Sequence, residues 1–301
     1  MSLEPEGVGR PDASAITAPL LRVWSGKAKP QVAASQVVAR KEALAPLSAQ
    51  GNIAPTCQKA ALMLRLATLL CCFALPLRAE TALAAVAANF AGAAGALAVA
   101  FNALTGHEIV LTTGSTGKLF AQIGNGAPYD LFLSADARTP ALLQSNGHGA
   151  PFPYAFGRLV LWAPGAAATA QPRAVLETAR HVALANPALA PYGQAATETM
   201  AAMGLPDSLR ERLVMGENVG QAYALVASGA AEAGFVAGSA LSATSPGLVW
   251  PVPPRYFAPL RQDALVLKHG AANAAATGFA AYLQSPAARA IIQDFGYGVP
   301  K

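Results

Sequence analysis

Beyond residue 79 the sequence contains no cysteine; the three it has are Cys57, Cys71 and Cys72. That stretch therefore has no disulfide framework, no thiolate metal site and no cysteine nucleophile. Charge is scarce too: 12% of residues are Asp, Glu, Lys or Arg, against 53% that are apolar. This balance excludes a disordered polyelectrolyte and suits a chain that buries a core. The four histidines, His107, His148, His181 and His269, are scattered without the spacing of a zinc site. The net charge of +5 lies entirely in residues 1–79, which hold nine basic and four acidic side chains; the remainder holds twelve of each sign. The remainder has no excess for gripping a phosphate backbone, so no nucleic-acid partner is expected.

What is present begins with a targeting pattern. Met63-Leu64-Arg65 leads into the apolar run Leu66–Leu75, and Pro76-Leu77-Arg78-Ala79 follows. A positive charge, a short apolar stretch and a small residue are the marks of a secretory signal peptide, here 63–79, with cleavage expected after Ala79. The run is too short to span a bilayer comfortably. A short buried helix is the plainer alternative. Residues 1–62 precede this segment and show no clear periodicity. They are expected to be a non-native or disordered extension, with Met63 the true initiator. The product is then exported.

From residue 80 onward strand and helix signals alternate. Apolar or β-branched runs at Ala84–Ala88, Glu108–Thr113, Tyr129–Leu133, Gly157–Trp162, His181–Ala185, Arg212–Met215, Ala233–Ala237 and Ala264–Lys268 predict strands. Helical spacing separates them, as in Gly92–Leu104, Gln194–Met203 and Gly220–Ala227, with glycines closing several helices. This βαβ rhythm predicts an α/β fold with parallel sheets. Proline-rich crossings at Pro151–Tyr154 and Pro251–Pro254 suggest a chain that passes to a second lobe and returns. On that basis 80–155 plus 253–301 form lobe 1 and 156–252 form lobe 2, with a cleft between them.

Four short polar segments each follow a predicted strand and precede a predicted helix: Ala88-Asn89-Phe90, Gly114-Ser115-Thr116-Gly117, Ala190-Pro191-Tyr192-Gly193 and Glu217-Asn218-Val219-Gly220. Helix starts carry unpaired N–H groups and the positive end of the helix dipole. None of the four contains Lys, Arg or His. Together they predict a site that holds a small anion through neutral donors. Singly, each has a plainer reading, as a turn, a helix cap or a proline-initiated helix.

Five stretches, GSTGKLFAQIGNGAPYDLFLSAD (114–136), YAFGRLVLWAPG (154–165), ALANPALAPYGQAA (183–196), GENVGQAYALVASGAAEAGFVAGS (216–239) and IIQDFGYGVP (291–300), jointly resemble the periplasmic molybdate/tungstate-binding proteins of ABC importers. The resemblance covers nearly all of 84–301. It implies a type II periplasmic-binding-protein fold, two parallel-sheet lobes joined by a two-strand hinge, with a tetrahedral oxyanion in the interlobe cleft. The family's binding positions fall on Ala88 and Asn89 after the first strand, and on Ser115 and Thr116 in the glycine-flanked loop. Thr116 matches the usual ligand serine. In the second lobe they fall on Tyr192 and Val219 through backbone N–H groups. A tyrosine hydroxyl that some members add after the last second-lobe strand is missing, since Ala237-Gly238 occupies that region. The resemblance further implies a monomer without cofactor, whose ligand is molybdate or tungstate and whose partner is an inner-membrane permease.

Chemistry agrees with that ligand. Molybdate and tungstate are dianions whose four oxygens all accept hydrogen bonds, so a donor-only lining suits them and leaves a protonated oxyanion with an unmatched O–H. Sulfate or another tetrahedral oxyanion is the alternative ligand. An enzyme on the same fold is a distant one, because Ser115 and Thr116 have only Lys118 nearby, one turn into a helix and expected to point outward. Asp130, Asp136 and Glu217 are assigned structural roles, since a carboxylate facing the anion would repel it; no direct cation ligands are expected.

Overall fold

The computed structural model describes residues 79–300. The expected extension, all of the expected leader except Ala79, and the three cysteines lie outside the described residues.

Among the described residues two five-stranded sheets organise the chain. The first contains β1 (Thr81–Ala87), β2 (Glu108–Gly114), β3 (Leu131–Leu133), β4 (Phe152–Phe156) and β10 (Arg261–Val266), in the order β2-β1-β3-β10-β4. The second contains β5 (Leu159–Ala163), β6 (Val182–Ala185), β7 (Leu213–Gly216), β8 (Ala233–Ala237) and β9 (Leu248–Pro251), in the order β7-β6-β8-β5-β9. Eight α-helices among the described residues accompany them: α1 (Ala91–Thr105), α2 (Thr116–Gly124), α3 (Arg138–Ser145), α4 (Pro172–Thr178), α5 (Pro191–Ala202), α6 (Val219–Ala227), α7 (Ala274–Tyr282) and α8 (Pro286–Asp294).

The central strands are buried on both faces, which is why they appear as continuous apolar runs rather than alternating ones. In β1, Ala82, Ala84, Ala85 and Val86 are all fully buried. One face of the first sheet packs Phe90, Leu97, Phe101 and Phe279 against Leu131 and Leu133. Its other face packs Leu119, Ile123 and Leu143 against Phe132 and Leu265. In the second sheet Leu161, Leu184 and Phe235 meet Tyr192 and Ala196 of α5, while Trp162 stacks on Tyr223 of α6 with ring centroids 5.3 Å apart.

The sheets are mixed rather than wholly parallel. β1, β2 and β3 run parallel, as do β6, β7 and β8, but β10 joins antiparallel to β3 and β4, and β5 joins antiparallel to β8 and β9. The exceptions are the strands adjoining the crossings between sheets. A strand arriving from the other sheet has no crossover helix to turn it round, so it enters from the opposite end.

Two strands are not among the predicted ones: β4 covers most of the proline-rich crossing expected at Pro151–Tyr154, and β9 ends at Pro251, where the second crossing was expected to begin. Both are edge strands, and Pro153 and Pro251 sit within them. An edge strand tolerates proline because one of its sides needs no ladder donor.

The chain leaves β4 and enters β5 through Gly157 and Arg158. A Cβ at Gly157 would lie 2.3 Å from the Tyr192 hydroxyl oxygen and 2.7 Å from Gln262 Nε2, so any larger residue at this crossing would have to displace those buried side chains.

Candidate functional site

Four helix starts converge. β1 ends at Ala87 and a 3-10 turn, Ala88–Phe90, leads into α1. β2 ends at Gly114, and Ser115 occupies the N-cap of α2. The loop after β6 ends at Ala190, which precedes Pro191 at the first position of α5. β7 ends at Gly216, and Asn218 caps α6 by accepting a hydrogen bond from the Gln221 N–H at 3.0 Å.

A small cavity lies where these starts meet. Ala88, Asn89, Ser115, Thr116, Tyr192 and Val219, the six residues expected at the site, all line it, together with Ala87, Gly114, Ala135, Ala190, Pro191 and Asn218. None of these residues is Asp, Glu, Lys, Arg or His. The space allows the centre of a water-sized sphere about 10 Å³ of freedom. The N–H groups of Asn89, Thr116, Tyr192 and Val219 have no backbone or side-chain acceptor among the described residues. The first turn of a helix leaves such donors unpaired, and here they border one space.

The hydroxyls of Ser115 and Thr116 differ. Ser115 is 3% exposed, and its Oγ has no hydrogen-bond partner among the described residues. A serine at an N-cap ordinarily accepts from an N–H of the first turn; this one does not. A buried hydroxyl left unpaired costs about 1–3 kcal/mol, so the position needs a partner from outside the protein. Thr116 Oγ1 accepts from the Ala135 N–H at 3.2 Å, which leaves its own proton free to donate.

Asn89 departs from the donor role its side chain suggests. Its amide nitrogen donates to Gln262 Oε1 at 2.9 Å and to the Tyr297 hydroxyl at 3.3 Å. Both protons are therefore committed inside the protein, and what Asn89 can offer the cavity is its backbone N–H. Gln262 also approaches Tyr192, its Nε2 lying 3.4 Å from the phenol oxygen. Burial pushes the Tyr192 phenol well above its usual range, so it remains neutral.

Gln262, Ser239 and Tyr297 escape sequence reasoning, because each reaches the site only through long-range packing. Tyr297 lies in the IIQDFGYGVP stretch, the one signal that pointed to its neighbourhood.

Charges lie outside the lining. Lys118 does not simply point outward: its Nζ is 3.1 Å from Glu217 Oε2, joining α2 to the segment before α6, with both side chains half exposed. Asp130 accepts from the Leu83 N–H at 2.7 Å and pairs with His269. Asp136 accepts from the Thr139 N–H at 2.8 Å at the start of α3. Among the described residues no group of three or more His, Cys, Asp or Glu gathers to hold a metal ion.

Known proteins match both the fold and the sequence. The model of the bacterial extracellular solute-binding proteins matches residues 82–298. The chain is 42% identical over 228 residues to the molybdate-binding protein ModA of Rhodobacter capsulatus, covering 74% of this chain and 90% of that one. To the ModA of Azotobacter vinelandii it is 40% identical over 223 residues, covering 71% and 88%. Among solved structures, the periplasmic molybdate-binding protein of Azotobacter vinelandii aligns with a TM-score of 0.69 at 39% identity, covering 74% of this chain and all of that one. Agreement on this scale, in sequence and backbone alike, makes the chain a member of the bacterial extracellular solute-binding family and, within it, of the ModA group.

Proposed function

We propose that the protein is a periplasmic receptor that captures molybdate in the helix-start cavity and delivers it to an ABC permease of the inner membrane. Tungstate, with the same charge and shape, is held by the same donors. The reading rests above all on Ser115, a buried hydroxyl without a protein partner on a cavity that has no charged side chain. A tetrahedral dianion supplies the missing acceptor. Ser115 Oγ, Thr116 Oγ1 and the N–H groups of Asn89, Thr116, Tyr192 and Val219 make up the donor set. At roughly 1.5–3 kcal/mol for each charge-assisted bond, these donors support nanomolar affinity after the costs of ordering and closure.

Residues 80–155 with 253–301 act as one lobe and 156–252 as the other. Because donors come from both, the ligand binds the closed arrangement better than the open one and thereby drives closure. Each chain holds a whole site and works as a monomer. The charge balance beyond residue 79 supports no nucleic-acid role.

Calorimetric titration with molybdate, tungstate, sulfate, phosphate and chromate tests the reading. Molybdate and tungstate should bind at nanomolar concentrations and sulfate far more weakly. Tight sulfate binding with weak molybdate binding would reassign the ligand, and silence from all five would remove the receptor reading.

A further inference from the structure

The backbone carbonyl of Asn89 is met by hydroxyls from two distant parts of the chain. Tyr297 donates its phenol proton to it. Ser239, in the 3-10 turn Gly238–Ala240 after β8, has its Oγ 3.1 Å from the same carbonyl and 2.9 Å from the Tyr297 oxygen. The three oxygens form a triangle holding two protons. Ser239 donates its proton to the carbonyl, and the Tyr297 proton is shared between the carbonyl and Ser239 Oγ. Phe90 meets the rings of Tyr154 and Tyr297 edge-on, with centroids 4.7 and 5.1 Å away, which fixes the tyrosine from behind. Burial pushes the Tyr297 phenol up to about 12.

Where each group comes from decides the consequence. Asn89 follows β1, and Tyr297 adjoins the bridge of Phe156 to Gly298; both belong with the first sheet. Ser239 belongs with the second. The tyrosine bond can persist when the two sheets separate, whereas the serine bond exists only when they meet. We propose that Ser239 and Tyr297 are positioning residues for anion capture. Together they hold the turn Ala88–Phe90 with its N–H groups on the cavity, and Ser239 makes that hold conditional on closure. The inference rests on the receptor reading above.

The test compares the wild-type chain with Ser239→Ala, Ser239→Thr and Tyr297→Phe, measuring molybdate Kd, the dissociation rate and the ligand-free Tm. Ser239→Ala should raise Kd about tenfold, the equivalent of one hydrogen bond, mainly through faster dissociation. Its ligand-free Tm should not move, and Ser239→Thr should restore affinity. Tyr297→Phe keeps the ring packing; it should lower both affinity and ligand-free Tm. A Ser239→Ala Kd within about twofold of wild type overturns the proposal, as does a fall in its ligand-free Tm that accounts for the lost affinity. If wild type binds no oxyanion, the receptor reading itself has failed, which the wild-type arm shows separately.

Discussion

The N–H of Gly117 donates to the carbonyl of Leu189 at 2.9 Å, tying the second residue of α2 to the loop before α5. A Cβ at Gly117 would lie 3.1 Å from that carbonyl oxygen and 3.3 Å from the Leu189 Cα. A side chain at residue 117 would force the loop to give by a few tenths of an ångström.

Gly117→Ala should therefore separate two effects. Alanine favours an isolated helix over glycine by about 0.5–1 kcal/mol, so the ligand-free Tm should hold or rise. The added methyl pushes the loop away and should weaken molybdate binding about tenfold. Calorimetry alongside thermal melts checks the pair. Undiminished affinity would mean that the contact is not needed for capture.

Ser115→Ala carries a similar opposition of signs. Removing a buried hydroxyl without a partner should stabilise the ligand-free protein by about 1 kcal/mol. The same change deletes a donor to the anion and should raise Kd by about ten- to a hundredfold. Urea unfolding without ligand, followed by titration with molybdate, distinguishes this from an ordinary polar-to-apolar loss, in which stability and affinity would fall together.

The pair of Lys118 and Glu217 should matter little in itself. Both side chains are half exposed, and exposed ion pairs contribute about 0–1 kcal/mol. Glu217→Gln is expected to change Kd by less than about fivefold, with the effect vanishing at high salt. A larger, salt-independent loss would show that Glu217 has a role beyond pairing.

Alkaline pH should unfold the protein through its buried phenols. Burial raises Tyr297 from 10.0 to about 12 and pushes Tyr154 and Tyr192 well above that ordinary value. As pH rises past 10 the unfolded chain releases phenol protons that the folded chain keeps. Stability is thus fully present below about pH 10 and is lost as pH climbs through the folded values. Urea midpoints measured from pH 8 to 11 should fall at the alkaline end, and Tyr297→Phe should lessen the slope. A flat profile would contradict the burial argument.

Local chemistry made much of the fold legible. Continuous apolar runs and glycine stops give the eight predicted strands because burial and turn formation leave their marks within a few neighbouring residues. β4 and β9 were hidden because Pro153 and Pro251 look like breaks until their edge positions are known. The four helix starts were visible as polar segments, and the structure gathers their residues around one cavity. The fate of each side chain there was not visible. The amide of Asn89 turns to Gln262 and Tyr297, 173 and 208 residues away, and no periodicity encodes such a pairing. Nor could spacing tell that Ser115, rather than Thr116, would be the hydroxyl left without a partner.

The strand order of the first sheet also bears on the sequence of folding events. β10 lies between β3 and β4, so that sheet has a gap until residues 261–266 have been synthesised. The second sheet draws all five of its strands from residues 159–251, a continuous stretch. Its contacts close over shorter loops and can form earlier. β2, β1 and β3 can pair before β10 exists, but β4 has no neighbour in its sheet until residues 261–266 are made, so the first sheet is completed after the second.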